Sequence, residues 1–244
     1  MKGVDSTGEP LPGAVERWLE ALKGTPEPAR SAAIEGRARF RREGKGWWLP
    51  IEAVMWHELG HHHVADLRVG VGPLTFIRGM DGYVDGRGFS RISHTLDMST
   101  EIDQSAALFM WAEAILFPAA WRGREDLDWS AIDDETADVA LPLGDERMPA
   151  RLTFDPDTGF PASFSAERYK GVGSRPVEWL VEYADWRATT DGVMLPGLAT
   201  VTWSDEPGPW FKMWITRANP DSDVSGAIGR GRELLAQVDA DPTR

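Results

Sequence analysis

The residues with the clearest chemical potential lie at His57-Glu58-Leu59-Gly60-His61, which has the H-E-x-x-H spelling. On a helix this spacing places two imidazoles on one face, where they bind zinc while the glutamate activates water. Such a site needs a third ligand, and Glu113 on a later helix is the available candidate. The residues from His61 to Val71, however, alternate as in a strand. This alternation favours a short helix from Pro50 to about Glu58 followed by a strand, and it predicts no bound metal.

The same alternation gives the histidines a direction. His61 and His63 fall on one strand face with Ala65, Leu67 and Val69, and this mostly apolar face should point to the interior. The opposite face is more polar and should point to solvent. A buried imidazole needs a partner, so at least one of the two should reach a ligand or Glu113. Both histidines are candidate proton donors to a carbonyl or enolate oxygen.

Glu113 lies in the segment around which the rest of the chain must be arranged. It is the only charged residue between Asp103 and Arg122. A helix that is apolar on nearly every side must be buried on nearly every side. We place this helix at about residues 104–117, with Asp103 at its start. Burial raises the pKa of a carboxyl group, so Glu113 is a candidate neutral donor or poised base. The alternative is a structural ion pair with a buried arginine such as Arg168 or Arg78.

The other candidates are aromatic or basic. Tyr83 and Tyr169, two of only three tyrosines, are candidates for orienting a polar group of a substrate. Arg168 is a candidate for binding the substrate. The tryptophans that would form an apolar wall are Trp111, Trp179, Trp186, Trp203 and Trp214. For each of these aromatic residues, packing in the core is the alternative interpretation.

The elements that must position these residues are mostly strands. Helices are predicted at about 12–23, 104–117 and 225–238, with strand patterns between and beside them. Asp155-Pro-Asp-Thr-Gly159 is the clearest hairpin turn. We predict one domain spanning residues 1–244, α+β and β-rich. Its form would be a strongly curved antiparallel sheet, or partly open barrel, wrapped around the central apolar helix.

Composition limits the classes of partner. The 244 residues carry a formal charge of -13 and include no cysteine. The charge disfavours nucleic acid and anionic membranes, and the missing thiols exclude disulfides and thiolate metal sites. No P-loop or G-x-S-x-G motif is present. Met1-Lys2-Gly3 leads into polar residues without a signal-peptide core, which favours a cytoplasmic protein. We expect a monomer or homodimer that binds an apolar small molecule and uses no cofactor.

Several motifs, taken together and in order, carry a family resemblance. They are Leu11-Pro12 with Arg17-Trp18, Trp48-Leu-Pro50, Gly72-Pro73-Leu74, Asp81-x-Tyr83-Val-Asp-Gly-x-Gly88, Ala112-Glu113-Ala114 with Phe117-Pro118, and Ser165-Ala-Glu-Arg-Tyr169. The chain resembles a largely actinobacterial family of uncharacterised proteins of about this length. In that family an aromatic pair and an alanine usually stand where this chain has His61, His63 and Ala65, so the histidines suggest a more polar or acidic substrate.

The family pattern also looks like that of cofactor-free cyclases from polyketide polyether biosynthesis, which close rings by (4+2) cycloaddition. The resemblance implies a cofactor-independent cyclase or isomerase that acts on a large apolar polyketide in a bacterial natural-product pathway. A pocket of this kind would hold a folded conformer of its substrate, with hydrogen bonds as a second contribution. One alternative is a non-catalytic carrier of a lipid or other apolar ligand. The second alternative is a zinc hydrolase that uses His57, Glu58 and His61.

Overall fold

A computed structural model describes residues 10–22, 30–71, 74–190 and 192–240. Two features predicted from the sequence touch positions outside these ranges: residue 23 at the end of the first helix and the Gly72-Pro73 motif. Asp191 also lies outside them, and the dipeptide Asp191-Gly192 is typical of a turn. The three α-helices are α1 at Gly13–Ala21, α2 at Thr100–Ala114 and α3 at Ser225–Ala240. Two 3₁₀ turns lie at Arg42–Gly44 and Pro118–Ala120. No helix in the described ranges is both long and apolar enough to span a membrane.

About half of the described residues form one antiparallel sheet of 13 strands. The strands are β1 Ser31–Phe40, β2 Leu49–Glu58, β3 His62–Val71, β4 Leu74–Val84, β5 Arg87–Ile92, β6 Thr95–Asp97, β7 Asp128–Ala131, β8 Thr136–Leu143, β9 Glu146–Phe154, β10 Pro161–Tyr169, β11 Pro176–Ala184, β14 Leu198–Trp203 and β15 Phe211–Pro220. Two short strands, β12 Arg187–Ala188 and β13 Met194–Leu195, pair separately.

The strand order is β6-β5-β4-β3-β2-β1-β15-β14-β11-β10-β9-β8-β7. Strands β6 and β7 are therefore the two edges in the described part of the chain, and the sheet does not close into a barrel. The prediction of a β-rich, antiparallel fold with a few helices is confirmed. The order also brings β1 beside β15, which joins the first half of the chain to the second.

The helix predicted at 50–58 is wrong, because this segment is strand β2. It pairs along its whole length with β1 on one side and β3 on the other. Met55 and His57 are buried, whereas Glu58 is exposed, as the two-residue period of a strand requires. Strands β1 and β3 form hydrogen bonds with the backbone N–H and C=O groups of β2, and this pairing outweighs a local preference for helix. Gly60, with φ +71°, then lies in the tight turn that leads into β3.

Helix α2 spans Thr100–Ala114 and so begins earlier than predicted. Ser99 is its N-cap, and the Ser99 hydroxyl accepts a hydrogen bond from the Ile102 amide at 3.3 Å. Asp103, the predicted start, instead accepts a hydrogen bond from the Gly88 amide at 2.6 Å. The helix packs against β4, β5, β8 and β10, so it contacts strands from both halves of the sheet.

Strand β4 runs through Gly79-Met-Asp-Gly82, although its two glycines are typical of a turn. The chain reverses later, where Gly86 has φ +80°. Gly82 is needed for close packing: a Cβ atom there would lie 2.5 Å from the Phe89 ring and 2.7 Å from the His63 carbonyl oxygen. The glycines in this stretch therefore make room for neighbouring groups inside the strand.

Helix α3 covers part of the outer face of the sheet. Val64 and Val84 are fully buried there and pack with Ile228 and Leu235 in a second, smaller core. The outward face of β3 was predicted to meet solvent, and this prediction is wrong for Val64 because α3 lies over it. The charged neighbour Asp66 stays half-buried.

Candidate functional site

A cavity of about 470 Å³ lies between β1–β5, the first half of α2, and residues of β10, β14 and β15. Its lining is mostly apolar. The aromatic lining residues are Phe40, Phe89, Phe109, Trp203, Trp210 and Phe211. The aliphatic lining from β2 and β3 consists of Leu49, Ile51, Ala53, Met55, Ala65, Leu67 and Val69. We call this space the main cavity.

The main cavity has apolar side chains that reach solvent. Leu49, Ile77 and Ile92 all line it, and they are 44%, 39% and 56% exposed. Exposed apolar residues that continue into an apolar cavity mark a place where an apolar partner enters or binds.

A carboxyl group, Asp81 on β4, is one of the few polar groups in the main cavity. The Ser90 hydroxyl donates a hydrogen bond to Asp81 Oδ1 at 2.8 Å. Burial raises the pKa of Asp81, and this outweighs the Ser90 hydrogen bond and the attraction to His63 and Arg168. A carboxyl group with a raised pKa is better able to donate a proton or a hydrogen bond to a bound molecule.

Arg168 on β10 is a half-buried cation of the main cavity, which Lys170 also lines. Its Nε donates to the Ser105 carbonyl oxygen at 3.0 Å, which ties β10 to α2. Its guanidinium carbon lies 4.6 Å, 5.4 Å and 5.6 Å from the ring centres of Trp179, Trp203 and Phe109. Burial lowers the pKa of Arg168 to about 10, although attraction to Asp81 raises it. Arg168 is therefore still a cation at neutral pH.

Two histidines and a glutamate meet at the inner end of the main cavity. His57 on β2 is the cross-strand partner of His63 on β3, and their ring centres are 4.8 Å apart. Glu113 in the last turn of α2 lies between them. Glu113 Oε2 is 2.8 Å from Nε2 of His57 and 2.8 Å from Nε2 of His63. We call these three residues the His–His–Glu cluster.

His57 and His63 are buried and Glu113 is 13% exposed, and the polar atoms of the cluster are poorly satisfied. Burial acts against ionisation of Glu113, but attraction to the His63 imidazole and the nearness of both ring nitrogens outweigh it and lower the pKa to about 2. Burial lowers the pKa of His57, against the attraction of Glu113. Both nitrogens of each ring and Glu113 Oε2 lack a well-aligned hydrogen-bond partner among the described residues. The close contacts therefore have the distance of hydrogen bonds without their angles.

A second space of about 40 Å³, the inner cavity, adjoins this cluster. Glu113 lines it, whereas His63 lines the main cavity. Met55 and Phe109 line both cavities. In the wall of the inner cavity the Tyr183 hydroxyl donates to the Ala112 carbonyl oxygen at 2.7 Å. The cluster thus separates a large apolar space from a small one that is large enough for about one water molecule.

The structure brings Glu113 and His63 together, within the distance predicted from the sequence. Among the described residues Glu113 pairs with no arginine, so this alternative is wrong there, because α2 presents Glu113 to His57 on β2 and His63 on β3. His61 is exposed in the turn before β3, so its predicted inward position is also wrong. With His61 and Glu58 exposed and the segment extended, the H-E-x-x-H residues do not have the geometry of a zinc hydrolase.

The predicted tyrosines lie elsewhere. Tyr83 packs in the main core, and burial raises the pKa of its hydroxyl, as does repulsion by Asp103. Tyr169 contacts α2 through its backbone amide, which donates to Gln104 Oε1 at 3.3 Å. Neither contact places a phenol hydroxyl in the main cavity.

Two of the five predicted tryptophans border a cavity. Trp203 lines the main cavity and Trp179 lines the inner one. Trp111 is buried in the core, 4.9 Å from Trp121 between ring centres. Trp186 stacks on Phe160 at 5.0 Å, and Trp214 is 37% exposed beside Arg39. For these last three, core or surface packing is the better interpretation.

Sequence reasoning missed Asp81, and it considered His57 only as a ligand of the H-E-x-x-H alternative. The signal for His57 was present, since Ile51, Ala53, Met55 and His57 already alternate with more polar residues. It was overlooked because a helix was assigned to this stretch. Asp81 had no such signal, because its place in the main cavity depends on β4 continuing through two glycines.

The chain matches one sequence family. The family is described as a family of unknown function, DUF6544, and the match covers residues 5–214. The chain belongs to this family. No curated protein sequence matches this DUF6544 member.

Solved structures show which known fold this DUF6544 member shares. A LolA superfamily protein from Nitrosomonas europaea is 11% identical, with a TM-score of 0.52 over 84% of this chain and 92% of the other. A domain from Vibrio parahaemolyticus, described as an outer membrane lipoprotein-sorting protein, is 8% identical. Its TM-score is 0.50 over 89% of this chain and 98% of the other. At such low identity the likeness establishes a LolA-like fold and nothing about activity.

Proposed function

We propose that this protein binds one lipid-like molecule, an apolar chain with an acidic end group, in the main cavity. The observation that carries the proposal is the main cavity itself. It is large, mostly apolar and bordered by exposed apolar side chains. Its volume of about 470 Å³ is within the range of small-molecule sites. Covering this surface with an apolar chain would remove it from water, which is favourable in proportion to the area buried.

Arg168 supplies the reason for an acidic end group. It is a cation in a mostly apolar space, and a guanidinium group can donate two parallel hydrogen bonds to a carboxylate. The aromatic rings of Trp179 and Trp203 hold it in place, so little side-chain freedom is lost when a ligand binds. The proposed ligand would place its carboxylate at Arg168 and its chain along β2 and β3.

The fold agrees with a carrier role. One protein that shares it is described as sorting lipoproteins, and this supports a lipid-type ligand over a water-soluble one. A sheet curved around α2, as expected from the sequence, would enclose such a ligand on several sides.

The test is displacement of a fluorescent fatty acid by dodecanoate from the purified protein. Ala106 on α2 lines the main cavity, so Ala106→Trp should fill part of it and weaken binding by at least about tenfold, or about 1.4 kcal/mol. Ala131→Trp, at an exposed position on β7, is the matched control and should bind as wild type does. Equal affinity in both variants would place the ligand elsewhere and refute the proposal.

A second comparison tests the end group. Arg168→Met keeps a long apolar side chain and removes the charge. It should weaken binding of dodecanoate more than binding of dodecanol, because only the acid is ionised. An equal loss for acid and alcohol would contradict the assignment of the carboxylate to Arg168.

A second candidate function is the cofactor-independent cyclase or isomerase implied by the polyketide-cyclase resemblance. The observation that favours it is that Asp81, Arg168 and His63 all line the same mostly apolar cavity. Such groups can hydrogen-bond to a carbonyl or developing enolate while the walls hold a chain folded. Turnover of a linear polyene by the purified protein would favour this function, whereas binding without turnover would leave the carrier.

A further inference from the structure

The His–His–Glu cluster has the donors of a metal site, although His57 is its only member that belongs to the H-E-x-x-H segment. His57 and His63 are adjacent on β2 and β3, and Glu113 approaches them from α2. Their nearest ligand atoms all lie within 4.8 Å of one another. Two imidazole nitrogens and one carboxylate oxygen are typical ligands of zinc and similar divalent ions.

The hydrogen bonding of the cluster is the independent observation. Four imidazole nitrogens and Glu113 Oε2 are buried together without a well-aligned partner among the described residues. Buried polar atoms are nearly always satisfied, and an exception in one place calls for a missing partner. An ion among the three residues would satisfy Nε2 of His57, Nε2 of His63 and Oε2 of Glu113 at once.

We infer that His57, His63 and Glu113 form a binding site for one divalent transition-metal ion of the zinc class. This inference does not depend on the proposed lipid-like ligand. Tetrahedral coordination at about 2.0–2.2 Å sets ligand atoms about 3.3 Å apart. The two present N–O separations are 2.8 Å, so each would lengthen by about 0.5 Å.

Three protein ligands leave at least one coordination position open. Glu113 lines the inner cavity and His63 lines the main cavity, so that position faces space that can hold water or a ligand oxygen. The Nδ1 atoms of both histidines lack acceptors among the described residues. Hydrogen-bond acceptors for the free ring nitrogens of metal-bound histidines are worth about 10–100-fold in affinity. We therefore expect zinc to bind more weakly here, by about that factor, than at a site that has such acceptors.

The test uses the full chain, without a histidine tag, after treatment with a chelator. ZnCl₂ is titrated in competition with a chromophoric chelator, and CoCl₂ serves as a spectroscopic probe. We expect one ion per chain, a cobalt spectrum of four- or five-coordinate type, and metal-dependent shifts of two histidine side chains in nitrogen-detected NMR. Absence of binding, or a cobalt spectrum of the octahedral type seen in water, would overturn the inference.

The chain provides a sharp control because it has five histidines and no cysteine. The triple variant H61A/H62A/H94A removes every histidine outside the cluster and should bind zinc as wild type does. Glu113→Gln keeps the size of the side chain and should weaken zinc binding at least about tenfold. Binding that survives Glu113→Gln but disappears in the triple variant would be surface binding, and the inference would be wrong. The NMR shifts in the wild-type protein decide the matter even if Glu113→Gln does not fold.

Discussion

The close approach of α2 to β5 makes Gly88 a sensitive position, and Gly88→Ala is the substitution that tests it. A Cβ atom at residue 88 would lie 2.4 Å from the Ile102 carbonyl oxygen and 2.8 Å from the Asp103 Cα. Both are backbone atoms of α2, so no side-chain rotation relieves the contact. The helix or the strand would have to move by at least about 0.6 Å to reach a normal separation.

The expected loss of stability has two parts. Overpacking of this kind costs about 1–3 kcal/mol. The movement also lengthens the hydrogen bond from the Gly88 amide to the Asp103 carboxylate, and a bond to a charged group contributes about 1.5–3 kcal/mol. Because a small shift weakens the Gly88–Asp103 hydrogen bond without breaking it completely, we expect Gly88→Ala to lower the free energy of unfolding by about 2–4 kcal/mol in total.

Urea unfolding followed by circular dichroism measures this loss, with Gly171→Ala as the control. Gly171 has open space around its Cβ position, so its substitution should change stability by less than about 0.5 kcal/mol. A loss below about 1 kcal/mol for Gly88→Ala would mean that α2 does not lie against β5 as described. The position of Glu113 relative to the histidines would then lose its support.

Two further predictions concern α3 and the main cavity. Gly226 and Gly229 in α3 have open space at their Cβ positions, so alanine at each should raise the free energy of unfolding by about 1 kcal/mol. Gly231→Ala should give no such gain, because its Cβ atom would lie 3.0 Å from Val84. Thermal unfolding checks this, and equal gains at all three positions would contradict the packing of α3 on β4. Burial raises the pKa of Asp81 in the folded protein above its ordinary value of 3.8. Protonated Asp81 therefore contributes its full share to the free energy of unfolding below pH 3.8, and this contribution is lost as the pH rises through the pKa of the folded state. Asp81→Asn cannot ionise and should gain on the wild type over this range; a pH-independent difference in unfolding free energy would refute the raised pKa.

Local periodicity predicted part of the site correctly. The two-residue period from His61 to Val71 indicated strand β3 and the inward position of His63. The same period gave the wrong direction for His61, because the tight turn at Gly60 extends through that residue. The same period was present in 51–57 but was overlooked there. The continuous apolar character of α2 predicted that Glu113 is buried, because such a helix has no face for solvent.

Local sequence patterns could not predict which residues these side chains contact in the fold. That Glu113 meets two histidines and no arginine depends on the rotation of α2 against β2 and β3. The pairing of His57 with His63 depends on the register of β2 and β3 around a short turn. The main cavity is lined by residues from Phe40 to Phe211, which no spacing rule connects.

The most direct test of the proposed function is methyl NMR of isoleucine-labelled protein titrated with dodecanoate. The isoleucines that line the main cavity are Ile51, Ile77, Ile92 and Ile102. The proposal predicts that these four methyl signals shift together and reach saturation at one ligand per chain. Ile34 and Ile115, buried elsewhere, and Ile132, exposed on the surface, should not move. Shifts confined to Ile132, or no saturable shift at the four cavity positions, would contradict the proposal.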